Sequence, residues 1–144
     1  MDPLKLIALD GEDLQIVSAH VQDAVMKVGD LQFAPREKRF VAAMNRYAWE
    51  EGGGLFGRKR ERRNAVLHFD RVLAARTHGI DPKRPDEVLS LLAITFVPGV
   101  APAGVIELVF SGGGVIRLEV ECIEARLSDL GGAWQASSTP VHRT

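Results

Sequence analysis

Cysteine occurs once in the 144 residues, at Cys122. One thiol cannot close an intrachain disulfide, build a thiolate metal cluster or form a Cys-x-x-Cys redox pair, and such a chain is expected in a reducing compartment. Long hydrophobic runs are missing as well. No apolar stretch approaches the roughly 18 residues that a membrane-spanning helix needs, and Met1-Asp2-Pro3-Leu4-Lys5 lacks the basic and apolar regions of a secretory leader. The expected location is therefore the cytoplasm, with no membrane partner. Nor is there an excess of charge of one sign: eighteen Lys and Arg against nineteen Asp and Glu leave a formal net charge of -1. The surface as a whole then has no pull on nucleic acid, so any basic site must be local.

What is present is ordinary globular material, 46% hydrophobic and 26% charged, in a length that suits one domain. Leu4, Leu6, Ile7 and Leu9 make a short strand ending at Asp10-Gly11-Glu12-Asp13, where Asp10 suits a helix N-cap and the acids its positive end. Leu14, Val17, Val21 and Ala24 then share one helical stripe, which predicts a helix over 12–24. Val25–Phe33 and Arg39–Trp49 read as hairpin arms around Ala34-Pro35-Arg36-Glu37-Lys38, and strand character returns over 65–78, 88–97, 105–110 and 115–121. Ser111-Gly112-Gly113-Gly114 predicts a tight hairpin, because glycine accepts the positive φ that such turns use. Ile123, Leu127 and Leu130 before Gly131-Gly132 have the spacing and stop signal of a short helix.

The sum is an α+β fold: a mainly antiparallel sheet or split barrel of about seven strands, with a helix after the first strand and a short C-terminal helix. Residues 1–134 read as one domain, with a mobile loop over 50–64 and a flexible tail at 135–144.

The chemistry-bearing residues are sparse. His20, His68, His78 and His142 have no ligand spacing, so no metal and no cofactor are expected. His68 and Asp70 lie two apart and would share one side of a strand, where a carboxylate could orient an imidazole; the plainer reading is a solvated polar pair. Cys122 falls at an apolar strand position and reads as a small buried hydrophobe. The triple-glycine stretches at 52–54 and 112–114 lack the following Lys-Ser/Thr or strand-to-helix context of phosphate loops. One segment is biased: Arg58-Lys59-Arg60-Glu61-Arg62-Arg63 carries five cations and one anion. With Phe56 available to stack on a base, Arg58, Lys59, Arg60, Arg62 and Arg63 could hold phosphates; otherwise they keep a loop solvated.

Taken together, Leu4-Lys5-Leu6-Ile7-Ala8-Leu9-Asp10, Ser18-Ala19-His20-Val21-Gln22-Asp23-Ala24-Val25, Asn45-Arg46-Tyr47-Ala48-Trp49-Glu50 and Arg117-Leu118-Glu119-Val120-Glu121-Cys122-Ile123-Glu124-Ala125 resemble a short alphaproteobacterial family, a domain of unknown function (DUF2948). The resemblance spans nearly the whole chain and implies a cytosolic bacterial protein, without supplying an activity, cofactor or site. A complete core pattern beside empty chemistry favours a non-catalytic binding or adaptor domain for a protein partner, with homo-oligomerisation open. The alternatives are a nucleic-acid-binding protein acting through 58–63, and an enzyme built around His68 and Asp70.

Overall fold

The structure, a computed structural model, describes residues 3–51 and 58–130. Strand β1 (Lys5–Ala8) leads to Asp10, whose backbone is extended and whose carboxylate accepts a hydrogen bond from the Asp13 N–H at 2.8 Å. That cap starts helix α1 (Gly11–His20), with Leu14 and Val17 buried. The helix stops at His20 rather than Ala24 because the chain is drawn into tertiary pairing. Asp23, at φ 67°, donates its N–H to the Leu91 carbonyl, and the Leu91 N–H bonds back to the Ala24 carbonyl.

Nine strands follow: β2 (Val25–Lys27), β3 (Leu31–Ala34), β4 (Arg39–Glu51), β5 (Arg58–Phe69), β6 (Val72–His78), β7 (Val88–Pro98), β8 (Gly104–Phe110), β9 (Val115–Val120) and β10 (Ala125–Asp129). Every pairing is antiparallel, in the order β1-β10-β5-β4-β2-β7-β8-β9-β6, with β3 also on β4. Ten strands replace the expected seven, and the sheet is open, ending on β1 and β6, rather than closed as a split barrel.

Three local causes account for the extra strands. The first arm of the early hairpin is interrupted at Val28–Asp30, where Val28 and Gly29 donate their N–H groups to the Glu87 and Pro85 carbonyls instead of to β4. The expected 65–78 strand breaks at Asp70-Arg71: the Asp70 N–H bonds to the Glu124 carbonyl and Arg71 takes φ 62°, so β5 stays beside β4 while β6 pairs with β9. The expected C-terminal helix is instead β10, in which buried Ala125, Leu127 and Asp129 alternate with Arg126 and Ser128. Its period is two, and it gains backbone partners on both sides, β1 and β5. The Ser111–Gly114 hairpin forms as expected, with Gly112 and Gly113 at φ 83° and 96°.

Residues 58–64, expected within a mobile loop, belong to β5. They pair with β4 from Glu51↔Arg58 to Asn45↔Asn64, so the basic run is built into a long hairpin. The expected tail at 135–144 lies outside the described residues.

One core joins both halves of the sheet and the helix. Leu67, Phe69, Phe40 and Ala42 meet Leu91, Ile106, Leu108, Phe110, Ile116 and Leu118, with Leu14 and Val17 of α1 against them. Alternation along β4 and β5 then defines an outer face that carries Val41, Ala43, Asn45 and Tyr47 on one strand and Arg62, Asn64, Val66 and His68 on the other. Two charges interrupt the buried side. Arg46 donates from Nε and Nη2 to the Asp129 carboxylate at 2.8 Å each, and Asp129 also accepts from the Leu4 N–H at 2.9 Å. Their side chains are 5% and 0% exposed, so this pair ties β4, β10 and the entry to β1 in a site without bulk water.

Candidate functional site

Three turns meet at the corner where β5 passes to β6: 35–38, 70–71 and 121–124. Lys38 and Arg71 both adopt positive φ (51° and 62°) without being glycine, a conformation that persists only where surrounding bonds impose it. Those bonds run from the Val72 N–H to the Lys38 carbonyl and from the Glu121 N–H to the Arg71 carbonyl, both at 2.9 Å. Around them the charges interlock. Asp70 accepts from Arg39 Nε at 2.8 Å and stands 3.8 Å from Arg126 Nη2. Lys38 reaches Glu121 at 3.1 Å, and Arg71 lies 3.6 Å from both Glu121 and Glu124. The hydrogen bond and charge of Asp70 hold the Arg39 guanidinium above its ordinary pKa.

An open cleft of about 580 Å³ occupies this corner, lined by Ile7 and Leu9, by the cations Lys38, Arg39, Arg71 and Arg126, and by the acids Glu37, Asp70 and Glu124. Ile7 and Leu9 are 63% and 64% exposed, large apolar side chains beside a charged network. Register explains the juxtaposition, since Ile7 pairs with Arg126, Arg126 with His68, and His68 with Val41. The signal was present in the sequence as Leu6-Ile7: adjacent apolar residues on a strand face opposite ways, so one must leave the core. Arg39 and Arg126 carried no signal, because their meeting at Asp70 depends on strand order.

His68 and Asp70 are not bonded to each other. β5 ends at Phe69, Asp70 belongs to the corner, and its carboxylate is committed to Arg39 and Arg126. Burial lowers the His68 pKa, the charges of Arg126 and Arg39 lower it further, and Asp70 only partly opposes them. The imidazole is therefore disposed to stay neutral in a net positive field. The unfolded chain binds a proton at this residue more readily than the folded one, so stability declines as pH falls through the unfolded value near about 6.5. Urea unfolding at about pH 7.5 and pH 5.5 checks this: acidification should weaken wild type more than His68→Gln, and equal losses would show that His68 contributes nothing.

The basic run is distributed along β5 rather than gathered on a loop. Arg58, Lys59 and Arg60 stand opposite Glu51, Glu50 and Trp49 in the register. Arg62 donates to Asn45 Oδ1 and to the Tyr47 hydroxyl, at 2.9 Å each, with its guanidinium 4.3 Å from the centroid of the Tyr47 ring. Arg63 is nearly buried and lies 3.2 Å from Glu61. Phe56 lies outside the described residues. Cys122 is half-buried in the connection after β9, not on a strand. Among the described residues no three His, Cys, Asp or Glu side chains gather as a metal cage, and no helix is long and apolar enough to cross a membrane.

The two ends of the sheet are unlike. β6 carries exposed Leu73, but also exposed Arg76, Thr77 and His78 and a register shift at its start, devices that discourage further pairing. β1 pairs only with β10 among the described residues and presents Ile7.

An open antiparallel sheet around one helix, with an ion-paired corner beside an apolar edge, defines an α+β domain. The chain belongs to the family described as Protein of unknown function (DUF2948), whose model matches residues 4–142. No curated protein and no solved structure matches it.

Proposed function

We propose that the chain is a non-catalytic cytoplasmic binding domain that takes an extended segment of a partner protein as an additional strand on β1. The observation that carries the reading is the exposure of Ile7 and Leu9 on an open sheet edge, where both line the charged cleft. A segment pairing there gains main-chain hydrogen bonds from the edge and pockets for alternate side chains. The cleft carries four cations, Lys38, Arg39, Arg71 and Arg126, against three carboxylates, Glu37, Asp70 and Glu124, a small positive excess that favours an acidic side chain in the partner. Such a partner buries the two apolar groups that an isolated edge leaves in water.

Selection from a library of random linear peptides tests this. Enriched peptides should alternate apolar residues around an acidic one, and calorimetric binding should be lost in an Ile7→Lys/Leu9→Lys variant whose melting is unchanged. If no peptide binds in an Ile7- and Leu9-dependent way, the reading is wrong. A concentration-dependent dimer abolished by the same substitutions would also overturn it, by assigning the edge to a second copy of the chain.

A further inference from the structure

The outer face of the β4–β5 hairpin holds a second, separate arrangement. Asn45 Nδ2 donates to Asn64 Oδ1 at 3.2 Å, Asn45 Oδ1 accepts from Arg62, and Arg62 bonds the Tyr47 hydroxyl while lying over the Tyr47 ring. Two of the guanidinium nitrogens are thus committed within the sheet, and the group lies over the Tyr47 ring on an exposed residue. Asn45 and Asn64 also line a mainly apolar groove of about 330 Å³ with Val25, Ala43, Val88 and Leu130, to which Lys27 and Asp30 add one charge of each sign. That volume is at the lower end of the range for small-molecule pockets, about 300–1,000 Å³. Val88 is 61% exposed.

Planar cation, amide pair and apolar groove are complementary to one class of ligand. A guanidinium plane stacks on the π-face of any base, an amide reads a base edge, and an apolar slot accepts a neighbouring base that has left a helix stack. The Arg62 guanidinium supplies a local cation for a phosphate backbone in a chain of net charge -1. We infer that the Tyr47–Arg62 platform and the adjoining Asn45/Asn64 groove form a binding site for single-stranded nucleic acid. Duplexes are excluded, because stacked and paired bases cannot enter the groove. Along β5, Asn64 and Arg62 lie four and six residues from His68, roughly 13 and 20 Å at about 3.3 Å per residue. The platform is thus away from the cleft beside Ile7, which lies at the level of Arg126 and His68, so peptide and nucleic acid would occupy separate places.

Fluorescence anisotropy of the full chain with labelled oligouridine, oligothymidine and a hairpin duplex, at low and raised salt, tests the inference. Both single strands should bind at low salt and the duplex much more weakly, with RNA tighter than DNA if the ribose hydroxyl is contacted. Arg62→Lys keeps the charge and removes the plane. It should weaken binding about tenfold and abolish the quenching of a 2-aminopurine label, with little change in salt slope. Because Arg62 also braces the hairpin, Val88→Glu supplies a variant that leaves that ladder untouched, and it too should weaken binding about tenfold. Absence of single-strand binding at low salt, equal affinity for duplex, or wild-type affinity in both variants would each overturn the inference. Retention of peptide binding by Arg62→Lys, or of nucleic-acid binding by Ile7→Lys/Leu9→Lys, keeps the two sites' failures distinguishable.

Discussion

Replacing Asp129 with Asn destabilises the chain by about 3–5 kcal/mol, the cost expected when one member of a buried ion pair is removed and the other charge is stranded. The Arg46 guanidinium donates twice to that carboxylate at 2.8 Å, and the Leu4 N–H donates a third bond. With side chains 5% and 0% exposed, water cannot replace the lost partner. Arg46→Met should cost a similar amount by leaving the carboxylate alone. The double variant Arg46→Met/Asp129→Leu should recover most of the loss, since an apolar pair of similar volume removes both desolvation penalties. Chemical denaturation of the three variants decides the matter, and a single-variant loss below about 1 kcal/mol would show that the pair is solvated. Acid should reveal the same bond. Burial alone raises the Asp129 pKa, but the Arg46 hydrogen bond, the Leu4 N–H and the charges of Arg46 and Arg63 prevail and lower it. The stabilisation is then fully present above the unfolded value of about 3.9 and is lost as pH falls through the lower folded value. Asp129→Asn should lack that acid-sensitive portion.

Phe69→Ala should cost about 3–5 kcal/mol as well, through a cavity rather than a charge. Phe69 is fully buried, with its ring centroid 6.5 Å from that of Phe40 at an interplanar angle of 47°. It pairs with Phe40 on one side and Ala125 on the other, in the last position of β5 before the corner. A void there removes contacts from both halves of the sheet, and neither can close it without moving Asp70. Calorimetry should show the melting temperature fall by roughly 10 °C for a chain of this size. By contrast Ile7→Ala, at an exposed edge, should change stability by less than about 0.5 kcal/mol. Equal effects at both positions would contradict the burial pattern.

These expectations separate what holds the fold from what the surface offers for binding. Arg46 and Asp129 on the inner side, and Phe69 at the corner, are buried and structural, whereas Ile7 and Leu9 are exposed. The contrast arises from parity: along β5, Leu67 and Phe69 face the core, while His68 faces out beside Arg126 and Val41.

The legible part of the fold was the part governed by neighbouring residues. Asp10 as cap with Asp13 three residues on, the alternation of Ile116, Leu118 and Val120 with charged residues, and the glycines of the β8–β9 hairpin are local facts, and each appears where the sequence implies it. The misread segments were those whose backbone partners lie far along the chain. Ile123, Leu127 and Leu130 have a helical spacing, yet Ala125–Asp129 becomes β10 because β1 and β5 both offer it hydrogen bonds. The run from Arg58 to Arg63 has the composition of a solvated loop, yet pairs residue by residue with β4. Of the residues singled out from the sequence, Arg62 and Asp70 take defined places, while Phe56 lies outside the described residues.

The sequence by itself determined an α+β domain, its helix start, its glycine hairpin and its family. Tertiary structure alone decided that Arg39 and Arg126 converge on Asp70 beside Ile7 and Leu9, that Arg46 is buried on Asp129, and that Tyr47 lies beneath Arg62. The reason is that caps, turns and alternation follow from residues a few positions apart, whereas strand order joins residues up to 125 positions apart, as in the Leu4–Asp129 bond. Only the closed chain selects which side chains share a face.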